Sequence, residues 1–143
     1  MRKSITLTVL VAAIFLGANA HAEPPANIDT SDRVTIEACV LSSEKPHISS
    51  HVPGTVNVSG RTVCKGISAV RNLQVSVTLT RVDGGNTTPT TKSSRGVGSV
   101  IVNVAMPCIW VSKQSLIQYI VITEHKMSNG KSVKTRNKAK LKC

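Results

Sequence analysis

From Leu73 to Val82, apolar and polar residues alternate: Leu73, Val75, Val77 and Leu79 interleave with Gln74, Ser76, Thr78 and Thr80. Successive side chains leave a pleated backbone on opposite sides, so a period of two marks a strand with one dry face and one wet face. An amphipathic helix would instead bring its apolar residues back every three or four positions. A strand of this kind needs a second apolar surface to cover its dry side.

Other segments follow the same rule. Arg33 to Leu41 sets Val34, Ile36, Ala38 and Val40 on one side, and Thr55 to Cys64 aligns Val56 and Val58 with Thr62 and Cys64. Val97 to Met106 aligns Val100, Val102, Val104 and Met106. Gln118 to Lys126 begins apolar on both faces, as a central strand does. Ser128-Asn129-Gly130 supplies a turn, read as a two-residue Asn-Gly hairpin loop, and Lys131 to Lys142 returns. Asp83 to Gly96 is polar and holds Pro89, which predicts a turn and then a short edge strand. Beyond residue 22 there are 17 Val, 9 Ile and 12 Thr against 5 Leu, a composition that suits pleated surfaces and weakens helices. The expected fold is all-β: an immunoglobulin-like two-layer β-sandwich of about seven strands over residues 33–143. The antibody hallmark is missing, since Trp110 stands two residues after Cys108 rather than midway between paired cysteines.

The first 22 residues read as an export signal. Arg2 and Lys3 precede an apolar stretch from Ile5 to Ala18, and Ala20-His21-Ala22 offers the small-x-small cleavage pattern. Residues 23–32, with Pro24 and Pro25, read as a flexible leader. No Cys stands at the cleavage point to take a lipid, and no hydrophobic tail or sorting motif closes the chain. The expected product is a soluble secreted protein, periplasmic or extracellular. Cleavage removes two cations and no acid, so the net charge moves from +11 to +9.

Cys39, Cys64, Cys108 and Cys143 all lie in the exported part, which predicts two disulfides with three possible connectivities. Joining neighbours closes loops of 26 and 36 residues, both cysteines counted, and short loops close fastest. A zinc site would call for a C-x-x-C pair, and the sequence has none.

The strongest functional signal is the carboxyl end. Lys134, Arg136, Lys138, Lys140 and Lys142 fall on alternate positions, so in a strand they share one face in a row about 26 Å long. Thr135, Asn137, Ala139, Leu141 and Cys143 take the other side. Such a row suits a polyanion: an anionic cell-envelope polymer, a membrane surface or extracellular nucleic acid. Its bland alternative is an edge strand that uses Lys to repel edge-to-edge pairing. Only Trp110 and Tyr119 remain as large aromatics after cleavage, too few for a base- or sugar-stacking platform, so sequence-specific nucleic-acid reading is not expected.

Between Lys45 and Thr55, His47 and His51 stand four apart in a proline-braced loop. Glu44 and the distant His125 are the obvious further ligands for a metal there, while the bland reading is a connection with surface histidines. No metal site and no cofactor is assigned. The run from Pro46 to Cys64, Pro-His-Ile-Ser-Ser-His-Val-Pro-Gly-Thr-Val-Asn-Val onward to Arg-Thr-Val-Cys, resembles a group of uncharacterised small secreted bacterial proteins. The resemblance implies compartment and fold, and carries no activity.

No G-x-S-x-G elbow, H-E-x-x-H helix, phosphate loop or paired-carboxylate motif occurs, and no catalytic residue is assigned. Glu124 and His125 are neighbours on a strand and so face opposite ways. Asn57-Val58-Ser59 and Asn86-Thr87-Thr88 match the glycosylation acceptor pattern, which recurs by chance. The expectation is a secreted binding or interaction module without catalysis. The alternative is a secreted antagonist: a cationic antibacterial or toxin-like protein, or a protein-binding inhibitor that presents a loop at Thr87–Ser94.

Overall fold

The computed structural model describes residues 33–66, 71–83, 86–109 and 116–143. The signal, the leader and Trp110 lie outside them. The described residues form nine strands and no α-helix: β1 (Arg33–Ile36), β2 (Cys39–Ser43), β3 (His47–Ile48), β4 (Thr55–Cys64), β5 (Asn72–Asp83), β6 (Asn86–Val97), β7 (Ser99–Pro107), β8 (Ile117–Met127) and β9 (Ser132–Leu141). Every pairing is antiparallel. In the first sheet, β4 pairs with β7 along one edge and with β2 and then β3 along the other, while β1 adds outside β2. The second sheet runs β6-β5-β8-β9. β7 faces β5 and β6, and β2 faces β8 and β9, so the sheets stack with their apolar sides together.

The alternating residues of β5 behave as read: Leu73, Val75, Val77 and Leu79 are buried. So are Val56, Val58, Thr62 and Cys64 on β4, and Val100, Val102, Val104 and Met106 on β7. Several sequence expectations change, the first being the strand count, nine among the described residues where about seven were expected. The segment Arg33 to Leu41 is a hairpin rather than one strand, because Ile36 pairs with Cys39 across Glu37 and Ala38, and Glu37 takes φ 55°. The turn shifts the buried side to Cys39, Leu41 and Ser43. The polar stretch after Asp83 forms no short strand. β6 is 12 residues long and pairs throughout with β5, and its Thr87–Ser94 segment is an edge strand instead of a loop. Cross-strand hydroxyl pairs hold it, Thr78 with Thr91 at 2.9 Å and Ser93 donating to Ser76 at 2.9 Å, and Pro89 is tolerated because β6 pairs with β5 alone among the described strands. The segment expected from Val97 begins at Ser99, since Gly98 carries the chain from one sheet to the other. It donates to the carbonyl of Arg71 and accepts from the amide of Cys64.

The β8–β9 turn is one residue longer than expected. Gly130 donates to Met127 and Met127 to Lys131, so Ser128, Asn129 and Gly130 form a three-residue loop, with Gly130 alone at positive φ (81°). A type I turn closed by a left-handed glycine has this pattern. Close packing demands another glycine. A Cβ on Gly60 of β4 would collide with the side chains of Val77 and Thr123, which pack from the other sheet against the Gly60 backbone.

Cys39–Cys64 joins the paired strands β2 and β4 within the first sheet, and Cys108–Cys143 fastens the two layers, tying the end of β7 to the residue that closes the chain after β9. Tyr119, fully buried, sets its hydroxyl 3.5 Å from the sulfur of Cys143, and burial pushes its pKa up. At the opposite end, Glu37 binds both Arg71 and Lys131, the latter at 3.1 Å, joining the β1–β2 turn to the residue before β5 and to the β8–β9 connection. The hydrogen bond from Lys131, and then that from Arg71, holds the Glu37 carboxyl below its ordinary value.

Candidate polyanion-binding face

β9 is an edge strand, and its alternation is clean. Val133, Thr135 and Ala139 are buried, while Arg136, Lys138 and Lys140 are exposed and Lys134 is half-buried. Lys142, just past the strand, is exposed as well. The structure therefore brings all five sequence-read cations onto or beside the outer rim of the second sheet. Asn137 and Leu141, of the inward parity, are half-buried because the first sheet does not cover the whole strand.

Register fixes what stands beside the row. Lys140 lies opposite Gln118, Lys138 opposite Ile120, Arg136 opposite Ile122 and Lys134 opposite Glu124. Glu124 is thus the one carboxylate facing the row on the neighbouring strand, and it is already engaged by Ser132 at 3.2 Å and Lys126 at 3.5 Å. The rest of the outer face is built from β5 and β6, whose outward side chains run Gln74, Ser76, Thr78 and Thr80 beside Arg95, Ser93, Thr91 and Pro89. Arg95 and Lys126 join the same face as the β9 row, which the sequence alone gives no means of seeing. Their company depends on the strand order β6-β5-β8-β9, and chain position says nothing of that order.

The inner side of the same strands holds a chain of polar groups. His125 Nδ1 lies 2.8 Å from Thr62 Oγ1 and Nε2 lies 3.0 Å from Thr135 Oγ1. Ser43 Oγ lies 2.6 Å from Thr135 Oγ1 and donates to Thr123 Oγ1 at 2.6 Å. All five residues are buried. Proton counting gives the direction. Ser43 spends its proton on Thr123, so Thr135 donates to Ser43 and accepts from Nε2–H, and Nδ1 accepts from Thr62. The imidazole is neutral, with its pKa lowered to about 4 by burial. These links tie β2 and β4 of one sheet to β8 and β9 of the other. Polar residues at inward parity in otherwise apolar strands are the one hint of it in the chain.

The histidine loop is separate. His47 and His51 are exposed, and His47 Nδ1 lies 3.7 Å from Glu44 and 3.2 Å from the carbonyl of Lys45. His125 sits in the core and is not brought to them, and no cluster of three or more His, Cys, Asp or Glu with metal-holding geometry occurs among the described residues. Ser49 organises the loop by accepting from the amides of His51 and Val52 and from the side chain of Asn57. Asn57, the first glycosylation-like asparagine, is half-buried there, and the side chain of Asn86 lies outside the described residues.

No helix among the described residues is long and apolar enough to cross a membrane. No protein-family model matches the chain, and no curated protein does. Among solved structures the chain is similar to Spo0M, a sporulation control protein from Bacillus subtilis, at 14% identity and a TM-score of 0.33. The match takes in 76% of this chain and 51% of that one, so this chain spans about half the length of the structure it matches.

Proposed function

We propose that this protein is an exported, immunoglobulin-like binding module without catalytic activity, which takes anionic envelope polymers or membrane surfaces through the cation row of β9. The observation that carries the reading is the outward placement of Lys134, Arg136, Lys138 and Lys140 on an edge strand whose neighbour sets one acid, Glu124, against them. A fixed row of charge attracts a polymer of opposite sign at long range and releases its condensed counterions on contact. The two disulfides support an oxidising compartment, the setting in which such bonds persist. The test is affinity for a soluble polyanion such as heparin or a teichoic acid as a function of salt. Neutralising about five charges predicts a log–log slope near −4. Binding unchanged between low and physiological salt overturns the reading.

A further inference from the structure

The second sheet carries a hollow of about 520 Å³ on its outer face, at the end remote from the Cys108–Cys143 bond. Small-molecule sites fall at roughly 300–1,000 Å³. Three strands build it. β5 forms the floor with Asn72, Leu73 and Gln74, β6 forms one wall with Arg95, Gly96 and Val97, and β8 and its turn form the other with Lys126, Met127 and Ser128, so that apolar Leu73, Val97 and Met127 share the lining with the polar groups. Register places Arg95, Gln74 and Lys126 in one row across the sheet, with Asn72 and Val97 in the next. The two cations are therefore two strand spacings apart, about 10 Å between backbones, and both stand on the face to which Gln74 points.

We infer that this trough binds an acidic sugar, its anionic group held between Arg95 and Lys126 and its ring lying along β5. The inference goes beyond the polyanion reading above, because the trough holds no β9 residue and stands independently of the β9 row. Charge complementarity supplies the first argument. The acid of this face, Glu124, lies one row away and takes a single contact from Lys126 at 3.5 Å, and an ammonium has two further donors. The floor supplies the second. Asn72 and Gln74 line the hollow, and the outward residues Ser76, Thr78 and Thr80 continue along β5 beyond it. Every one of them can both donate and accept a hydrogen bond, as sugar hydroxyls do, whereas phosphate and sulfate oxygens only accept. The hydroxyls of Ser76 and Thr78 bond across to β6, and each keeps further capacity because a hydroxyl has one donor and two acceptor positions. The third argument comes from what the outer face presents. Its outward residues on β5, β6, β8 and β9 include no aromatic ring, so neither bases nor neutral sugars find a stacking partner there, and an anionic group must supply the hold.

The test titrates the full exported chain with tetragalacturonate, a heparin-derived tetrasaccharide, a tetraglutamate peptide and phosphatidylglycerol vesicles. The expected result is binding of at least one tetrasaccharide, carboxylated or sulfated, more tightly than tetraglutamate, with shifts of the Asn72 and Gln74 side-chain amide resonances. R95Q/K126Q should weaken that binding at least ten-fold, and K45Q/K65Q, which removes two exposed cations outside the second sheet, should change it less than two-fold. Tetraglutamate or vesicles bound as well as the sugars, amide resonances that stay still, or equal losses in the two double variants would overturn the inference. If long polyanions bind with steep salt dependence while both tetrasaccharides fail, the trough is refuted and the β9 reading stands. Tetrasaccharide binding by the trough, with polymer affinity indifferent to K138Q/K140Q, leaves the trough and refutes the β9 row.

Discussion

β9 sends Thr135 and Ala139 toward the first sheet and, at alternate positions, Arg136, Lys138 and Lys140 toward solvent. On the inner side, polar groups are admitted only when each hydrogen bond is matched, as in the run from Thr62 through His125, Thr135 and Ser43 to Thr123. Charge on the outer side needs no partner, because water solvates it. Stability should therefore reside in one face of the strand and ligand capture in the other, with the disulfide at its end holding the two in a fixed relation. This division can be broken at several points.

The largest effect is expected from C108S/C143S. Releasing that loop should cost about 4 kcal/mol in the chain-entropy account, measured by chemical denaturation. The variant removes no charge, so it also tests whether the outer row needs an anchored strand. Weaker polyanion binding by the folded variant would support that dependence, and undiminished affinity would show that the outer row works without the anchor.

Acid should come next. His125 has a folded pKa of about 4 against an ordinary value of 6.5. Its neutral form therefore contributes fully above pH 6.5. Between 6.5 and 4 the unfolded chain takes up a proton that the folded chain refuses, and stability falls by about 3 kcal/mol across that window. Glu37, held low by Lys131 and Arg71, adds a loss only below the ordinary carboxylate range. Denaturation midpoints measured from pH 7 to 4 should decline in the native sequence and stay nearly flat in His125→Leu. The same decline in both would take the effect away from this residue.

Thr135→Val keeps the shape of the side chain and removes its hydroxyl. His125 Nε2–H and the Ser43 hydroxyl lose a partner together, so a loss of about 1–3 kcal/mol is expected. Polyanion affinity should not move, since Thr135 is fully buried beneath the strand.

What the sequence made legible was whatever depends on parity within one strand. The alternation of β4, β5, β7 and β9 and the outward row of cations follow from period two, and the structure keeps them. Two other features escaped because they depend on backbone conformation at single residues. Glu37 at positive φ turns one expected strand into β1 and β2, and Gly98 ends β6 and starts β7 in the other sheet. The trough was hidden for a third reason. Arg95, Gln74 and Lys126 are scattered along the chain and meet only through the register of three strands. The inner polar run likewise unites β2, β4, β8 and β9, and the position of His125 in the chain says nothing of the Thr62 and Thr135 hydroxyls that flank its ring.

The smallest effect on stability and the sharpest on binding should come from K138Q/K140Q. Both side chains are exposed and stand opposite Ile120 and Gln118, so they hold no inner contact. Their neutralisation should alter unfolding free energy by no more than about 0.5 kcal/mol. Each lost phosphate-type contact lowers the magnitude of the salt slope by about 1, which predicts a change from near −4 to near −2 for a long polyanion. The shallower slope should come with an affinity deficit that is greatest at low salt and vanishes as salt screens the remaining charges. The slope is the decisive quantity, because a misfolded variant would lose affinity at every salt concentration alike. If the slope keeps its value, Lys138 and Lys140 act as edge protection alone, repelling a second strand from β9.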